Sequence, residues 1–391
     1  MGINGKAYIA GIYEHPTRFA GDKTLPQLHA EIAKGVLQDA GLAKDDVDAY
    51  FCAGDAPGLG GISMIEYMGL INVRHMDSTE TGGSSYLVHL NHAAQAIAAG
   101  HCKVALITLA GRPLADAKEG NPGRFHSAQA PEFPFEMPYG FNVVNMYAMC
   151  ATRHMYEFGT TSEQLAWIKV AASHHAQHNE HAKLREVVTV EEVVNSPMIA
   201  NPLHRLDCCV ITDGGGGVLV VSPEIAKSLK RPKVKIMGAG EAPKHLNGGQ
   251  VDLTYSGARW SGPLAFAEAG VKPADIKYVS IYDSFTITVL ETIEDLGFCE
   301  KGKGGWFVSD GNLISGIGKL PFNTDGGGLC SNHPGNRGGM TKILEAVRQV
   351  RGEAHPKVQV RNCDVALAHG TGGMLGARMG SATVILGNQD A

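Results

Sequence analysis

Nowhere in this sequence do lysines and arginines gather into a block. The 34 of them are spread along the chain against 39 acidic residues, for a net charge of −5. That leaves no stripe for neutralising the phosphates of a nucleic acid. No apolar run approaches the roughly 20 residues needed to span a bilayer. The opening MGINGKAYIAGIYEHP lacks the basic start and long apolar core of a secretory signal. Lys6 stands where a myristoylation motif carries Ser or Thr. The eight cysteines (52, 102, 150, 208, 209, 299, 330 and 363) include no CxxC pair. In a chain this large they predict reduced thiols rather than a disulfide framework. These absences predict a soluble cytoplasmic protein with no nucleic-acid partner and no membrane span.

What is present points to a large α/β core. Of the 391 residues, 44% are hydrophobic and 19% charged, and the 50 glycines cluster between apolar runs, as tight strand–helix turns require. KAYIAGIY (6–13) reads as a strand, LPQLHAEIAKGVLQDAG (25–41) as an amphipathic helix ending at Gly41, and VDAYFCAG (47–54) as a strand. A helix predicted over 85–99 leads into the apolar strand KVALITLAG (103–111). This alternation predicts βαβ units around a buried sheet. Residues 112–205 interrupt the rhythm with a Gly/Pro-rich stretch and helices predicted over 141–158 and 162–178. An insertion of that length is expected to carry function, here as the cover of a substrate tunnel. Regularity resumes with GGGGVLVVS (214–222).

The second part repeats the first. AGLAKDDVDAYF from Ala40 matches AGVKPADIKYVS from Ala269, and KVALITLAG is answered by CDVALAHGTGG (363–373). Between each pair a Gly-flanked turn opens a helix: GGSSYL (82–87) in one, SNHPGNRGGM (331–340) in the other. The chain therefore divides into an N-terminal half, 1–225, and a C-terminal half, 226–391. Duplicated halves are expected to form a site where their equivalent helix starts meet.

Four side chains stand at such turns: Ser84 at a helix start, Tyr282 in YDSF, His333 in SNHPG and His369 in HGTGG. A hydroxyl and two histidines can supply a nucleophile, a base and an acid. Ser84 is equally suited to cap the helix. His174, His178 and His181 in SHHAQHNEH have the spacing of one helix face, but no nearby cysteine or carboxylate completes a metal set. TDGGGG (212–217) lacks the lysine and spacing of a phosphate loop and reads as a turn.

NHPG, LDCCVITDGGGGVLVVS (206–222), IYDSF, HGTGG, and EDLGFCEKGKG followed by GKLPFNTDGGGL together resemble the thiolase superfamily. The resemblance is to the sterol-carrier-protein-X type and to the lipid-transfer-protein retro-aldolases, and it covers nearly the whole chain. It implies a layered α-β-α-β-α fold of two duplicated βαβαβ halves with an inserted loop domain. Ser84 takes the seat of the family's nucleophilic cysteine, His333 that of its activating histidine, and His369 that of its second cysteine. Tyr282 matches one of the retro-aldolases' two catalytic tyrosines, while Cys330, Ser331 and Asn332 stand where the other is expected. Ser85, Asn332, Gly370 and Gly372 are the expected substrate-binding positions. An acyl-serine is an oxygen ester, mismatched with thioester exchange, so conventional thiolysis is disfavoured. The implied function is making or breaking a carbon–carbon bond beside an acyl-CoA thioester. Coenzyme A then enters as part of the substrate, with no tightly bound cofactor and no metal. A homodimer and a small zinc-containing OB-fold partner subunit are the implied assembly. Two alternatives stay open: an acyltransferase that uses Ser84 covalently, and a non-catalytic acyl-CoA-binding subunit.

Overall fold

The computed structural model describes residues 2–120, 131, 133–140, 142–245, 247, 250–335 and 337–389. The expected tunnel cover falls in part on 121–130, 132 and 141, which lie outside the described residues.

Eleven strands are present among the described residues. β1 (Tyr8–Glu14), β2 (Ala49–Phe51), β3 (His75–Asp77) and β4 (Val104–Gly111) come first, then a small hairpin of β5 (Met198–Ala200) and β6 (Leu203–His204). β7 (Gly214–Val221), β8 (Val234–Lys244), β9 (Tyr278–Ile281), β10 (Val365–Met374) and β11 (Ala377–Gly387) follow. The helices of ten or more residues are α1 (Leu25–Ala40), α2 (Ser85–Ala98), α3 (Val143–Phe158), α4 (Ser162–Ala176), α5 (Ala258–Ala269), α6 (Thr286–Asp295) and α7 (Gly339–Arg351).

In the sheet order β3-β2-β4-β7-β1-β8-β11-β10-β9, the strands β2-β4-β7-β1 mirror β9-β10-β11-β8 about the β1–β8 contact, and β3 at one edge has no counterpart. β2 runs parallel to β4, and β9 parallel to β10. β4 is antiparallel to β7, and β10 to β11. The repeated Asp-Val and Asp-Ile have the same local cause. Asp46 accepts a hydrogen bond from the Ala43 N–H at 2.8 Å, and Asp275 from the Lys272 N–H at 2.8 Å. Each carboxylate thus closes the turn that feeds its strand. α1 and α5 both end on a left-handed glycine, Gly41 and Gly270.

α2 and α7 form the middle layer. Their Leu87, Leu90, Ile343 and Leu344 share one apolar core with Phe51, Ile107, Val220, Ala366, Ala368 and Val384 from both halves of the sheet. α1 covers one outer face with Ile32 and Val36. α5 and α6 cover the other with Phe266, Leu290 and Ile293, against Leu367 and Ile385. The layers are therefore α-β-α-β-α. The helix predicted over 162–178 stops at Ala176, so His178 and His181 leave the face that His174 occupies, and His178 stacks instead on His355 at 5.0 Å. Among the described residues no set of three or more His, Cys, Asp or Glu is arranged to hold a metal ion, and no helix is long and apolar enough to cross a membrane.

Candidate active site

Tyr282 follows the end of β9, and His333 lies in the turn that leads to α7. The phenol oxygen and the His333 Nε2 are 2.7 Å apart. Burial pushes the phenol well above its ordinary range, so it stays protonated, and the charges of Cys209 and Tyr147 in their ionised forms would push the same way. Burial also lowers the imidazole to about 4, with Asp283 opposing and Lys342 reinforcing that shift. At neutral pH the pair is therefore a neutral phenol facing a neutral imidazole. On the other side of the ring, Nδ1 lies 3.6 Å from the Cys209 sulfur. The backbone is fixed as well: the His333 N–H donates to the Thr212 hydroxyl at 2.8 Å.

Behind this pair sits a buried ion pair that motif reading missed. Lys342 of α7 donates to Asp283 at 2.9 Å, and both side chains are 1% exposed or less. Asp283 also accepts the backbone N–H groups of Gly328 and Leu329 at 2.8 and 3.1 Å. Burial works against the Lys342 charge, yet Asp283 and Asp325 beside it hold its pKa above the ordinary value. The only sequence signal for this pair was the Asp of YDSF. Lys342 lies inside a helix that is buried along most of its length and gave no signal.

The other expected residues are placed less evenly. Ser84 is fully buried and makes no side-chain cap. Its hydroxyl donates to the Thr81 carbonyl at 2.8 Å and lies 3.0 Å from the Thr81 hydroxyl. Ser85 accepts from the Thr81 N–H at 2.9 Å, so it shapes the same turn. Asn332 donates to Glu14 at 2.9 Å and accepts from the Thr212 hydroxyl at 2.8 Å, which commits its amide inside the protein. Gly372 lets β10 approach the turn, since a Cβ there would stand 1.6 Å from the Thr81 oxygen.

His369 is not brought to the Tyr282–His333 pair. Along β10, Ala366 and Ala368 face the middle layer while Leu367 faces the outer one. Gly370 faces Ser84 and Leu87, and by strand alternation His369 points the opposite way. There its Nδ1 pairs with the Thr383 hydroxyl at 2.8 Å and its Nε2 with Ser381 at 3.1 Å, and Thr383 in turn meets Ser261 of α5. Burial holds this imidazole down to about 3. Its link to the site is through the backbone: the Tyr282 N–H donates to the His369 carbonyl at 2.9 Å.

Residues 240–388 match the family model described as thiolase C-terminal domain-like. The acetyl-CoA acetyltransferase of Methanothermobacter thermautotrophicus is 32% identical over 365 residues, 90% of this chain and 92% of that one. The chain belongs to the thiolase superfamily. Within the superfamily it is also 33% identical to a steroid side-chain-cleaving aldolase of Thermomonospora curvata, over 90% of this chain and 91% of that one. The solved structure of an Ltp2-ChsH2(DUF35) aldolase superposes with a TM-score of 0.88 at 30% identity, covering 99% of this chain and 98% of that one. The sterol-carrier-protein-X and retro-aldolase resemblance read from the motifs is therefore the right branch of the superfamily.

Proposed function

We propose that this thiolase relative makes or breaks the C2–C3 bond of an acyl-CoA thioester by aldol chemistry, with Tyr282 and His333 as its proton relay. The observation that carries the reading is the 2.7 Å contact between the Tyr282 oxygen and the His333 Nε2. It is supported by the Ser84 hydroxyl, which is turned into its own turn rather than toward His333. The aldolase names of two relatives support it further.

In the cleavage direction, the 3-hydroxyl of the substrate gives its proton to the Tyr282 oxygen while the phenol proton passes to Nε2. The C2–C3 bond breaks, its electron pair enters the thioester as an enolate, and the oxygen-bearing carbon becomes a carbonyl. The relay then returns one proton to C2, so the proton lost from oxygen is regained at carbon. Passing the proton on to the imidazole avoids leaving a phenolate in a buried site. Coenzyme A enters as part of the substrate. A homodimer, and a zinc-containing OB-fold partner of the DUF35 type, complete the reading; the ChsH2(DUF35) component named with the superposed aldolase supports the partner.

The test mixes the chain, with a DUF35-type partner, with 3-hydroxyacyl-CoA and follows the shortened acyl-CoA and the carbonyl product by mass spectrometry. Tyr282→Phe is expected to lower turnover by about 10²–10⁴-fold, the usual worth of a positioned acid–base group. An acyl adduct on wild-type Ser84 would establish the acyltransferase alternative instead. Tight acyl-CoA binding with no turnover in any such mixture would make the chain a binding subunit.

A further inference from the structure

The segment 208–211 runs past the buried Tyr282–His333 pair and is itself partly exposed. Cys208, Cys209 and Val210 are partly exposed, and Ile211 is 56% exposed. Tyr282, Asp283 and His333 behind it are 5% exposed or less. The segment is held from both sides, since the Cys209 N–H donates to the Ser284 carbonyl at 2.9 Å and the Val210 N–H to the Gly328 carbonyl at 2.8 Å. That double anchor aims the Cys209 sulfur at His333 Nδ1. Nothing in the relay itself needs a thiol.

We propose that Cys209 is a positioning residue whose sulfur accepts the His333 Nδ1 proton and so fixes the tautomer that leaves Nε2 free to receive the Tyr282 proton. The proposal rests on the aldol reading for its purpose but not for its geometry. A neutral imidazole carries one proton, and the nitrogen without it is the acceptor. A phenol is a far stronger donor than a thiol, so the 2.7 Å contact favours O–H···Nε2 over the reverse form, and the Nδ1 proton that this form carries needs an acceptor to hold it there. Besides the residue's own backbone, the side-chain group facing Nδ1 is then a sulfur, a weak and uncharged acceptor. A carboxylate at that place would steady the imidazolium and make His333 much more basic. A sulfur fixes the tautomer without that effect, so the imidazole stays ready to accept a proton across the neutral range.

The charged and titratable groups facing His333 are few among the described residues. Tyr282 and Asp283 come from the end of β9, Cys209 from the 208–211 segment, and Lys342 from α7. Asp283 and Lys342 are paired with each other. Cys209 is therefore the group whose replacement changes the Nδ1 environment without breaking the ion pair.

The experiment uses the full chain labelled with ¹⁵N-histidine, with the His333 ring signals assigned by a His333→Asn variant. Wild type is expected to show a protonated Nδ1 and a bare Nε2. Cys209→Ser, which keeps an acceptor, should retain that pattern. Cys209→Ala should mix the two tautomers and lower kcat by about three- to tenfold with KM unchanged, as loss of one hydrogen bond implies. Cys209→Asp should move the His333 titration, and the acid limb of any activity profile, up by about one pH unit or more. Ring signals in Cys209→Ala and Cys209→Asp that match wild type would overturn the proposal. If the signals respond as expected but no 3-hydroxyacyl-CoA is cleaved, the positioning role stands and the aldol reading falls.

Discussion

At the scale of single residues, the site turns on which hydrogen bonds are already made. The Ser84 hydroxyl donates to Thr81 within the turn that opens α2. In the relay reading it shapes the turn and forms no bond to substrate. Ser84→Ala is therefore expected to keep turnover within about tenfold of wild type, the worth of one or two neutral hydrogen bonds. A loss of several orders of magnitude would return Ser84 to the nucleophile's role. His333 sets the pH response. In the relay reading it accepts the proton only when neutral, so activity should be level across the neutral range and fall as pH drops through about 4, where the folded imidazole takes a proton. His369 leaves its trace in stability instead. The unfolded chain protonates it near about 6.5, the folded chain only near about 3. Between those values the unfolded state binds more protons, so this contribution is complete above about 6.5 and is lost as pH falls toward 3. His369→Asn should flatten the fall of the urea midpoint across that window; a slope equal to wild type would remove His369 from the account.

At the scale of elements, the strength of the site lies in the Asp283–Lys342 pair, which ties the end of β9 to α7. Asp283 also holds the Gly328–Leu329 backbone, so one carboxylate fixes three segments around His333. Asp283→Asn leaves the Lys342 ammonium buried without the carboxylate it donates to. Breaking a buried pair this way costs about 3–5 kcal/mol. That loss is expected in denaturant unfolding of Asp283→Asn, and adding Lys342→Met should recover much of it, because the stranded charge is then gone. If the double variant is as unstable as the single one, the carboxylate acts through its backbone partners rather than through Lys342. The turns that feed β2 and β9 show the same economy on a smaller scale, with Asp46 and Asp275 each closing a turn through one bond of 2.8 Å.

At the scale of the whole molecule, the site exists because the starts of α2 and α7 meet in the middle layer. A Cβ on Gly339 would stand 1.9 Å from the Gly83 carbonyl oxygen. The two helix starts therefore touch backbone to backbone, and the Tyr282 ring lies against the same turn. Gly339→Ala is expected to cost about 1–3 kcal/mol in stability, as overpacking does. It should cost more in turnover than in stability, because the shift falls on the Tyr282–His333 geometry; the two effects are separated by denaturant unfolding and single-turnover rates. Normal turnover in a destabilised variant would mean that the helix contact supports the fold without setting the site.

The sequence by itself determined the alternation of strands and helices, the duplication, the break over 112–205 and the two turns that carry Tyr282 and His333. These are local matters. Apolar period, capping residues and left-handed glycines act within a few positions of one another, so they can be read without a partner in space. The motif resemblance carried the family for the same reason, since each motif is a short turn. Tertiary structure alone decided three things. It set the face of β10 on which His369 lies, because a strand offers two faces one residue apart and only packing against α5 or α2 chooses between them. It turned the Ser84 hydroxyl into Thr81, a choice among rotamers made by the space left in a buried turn. And it brought Cys209 to His333, 124 residues away, and Lys342 to Asp283, 59 residues away. Such contacts come from how the layers stack, and no pattern within either segment records them.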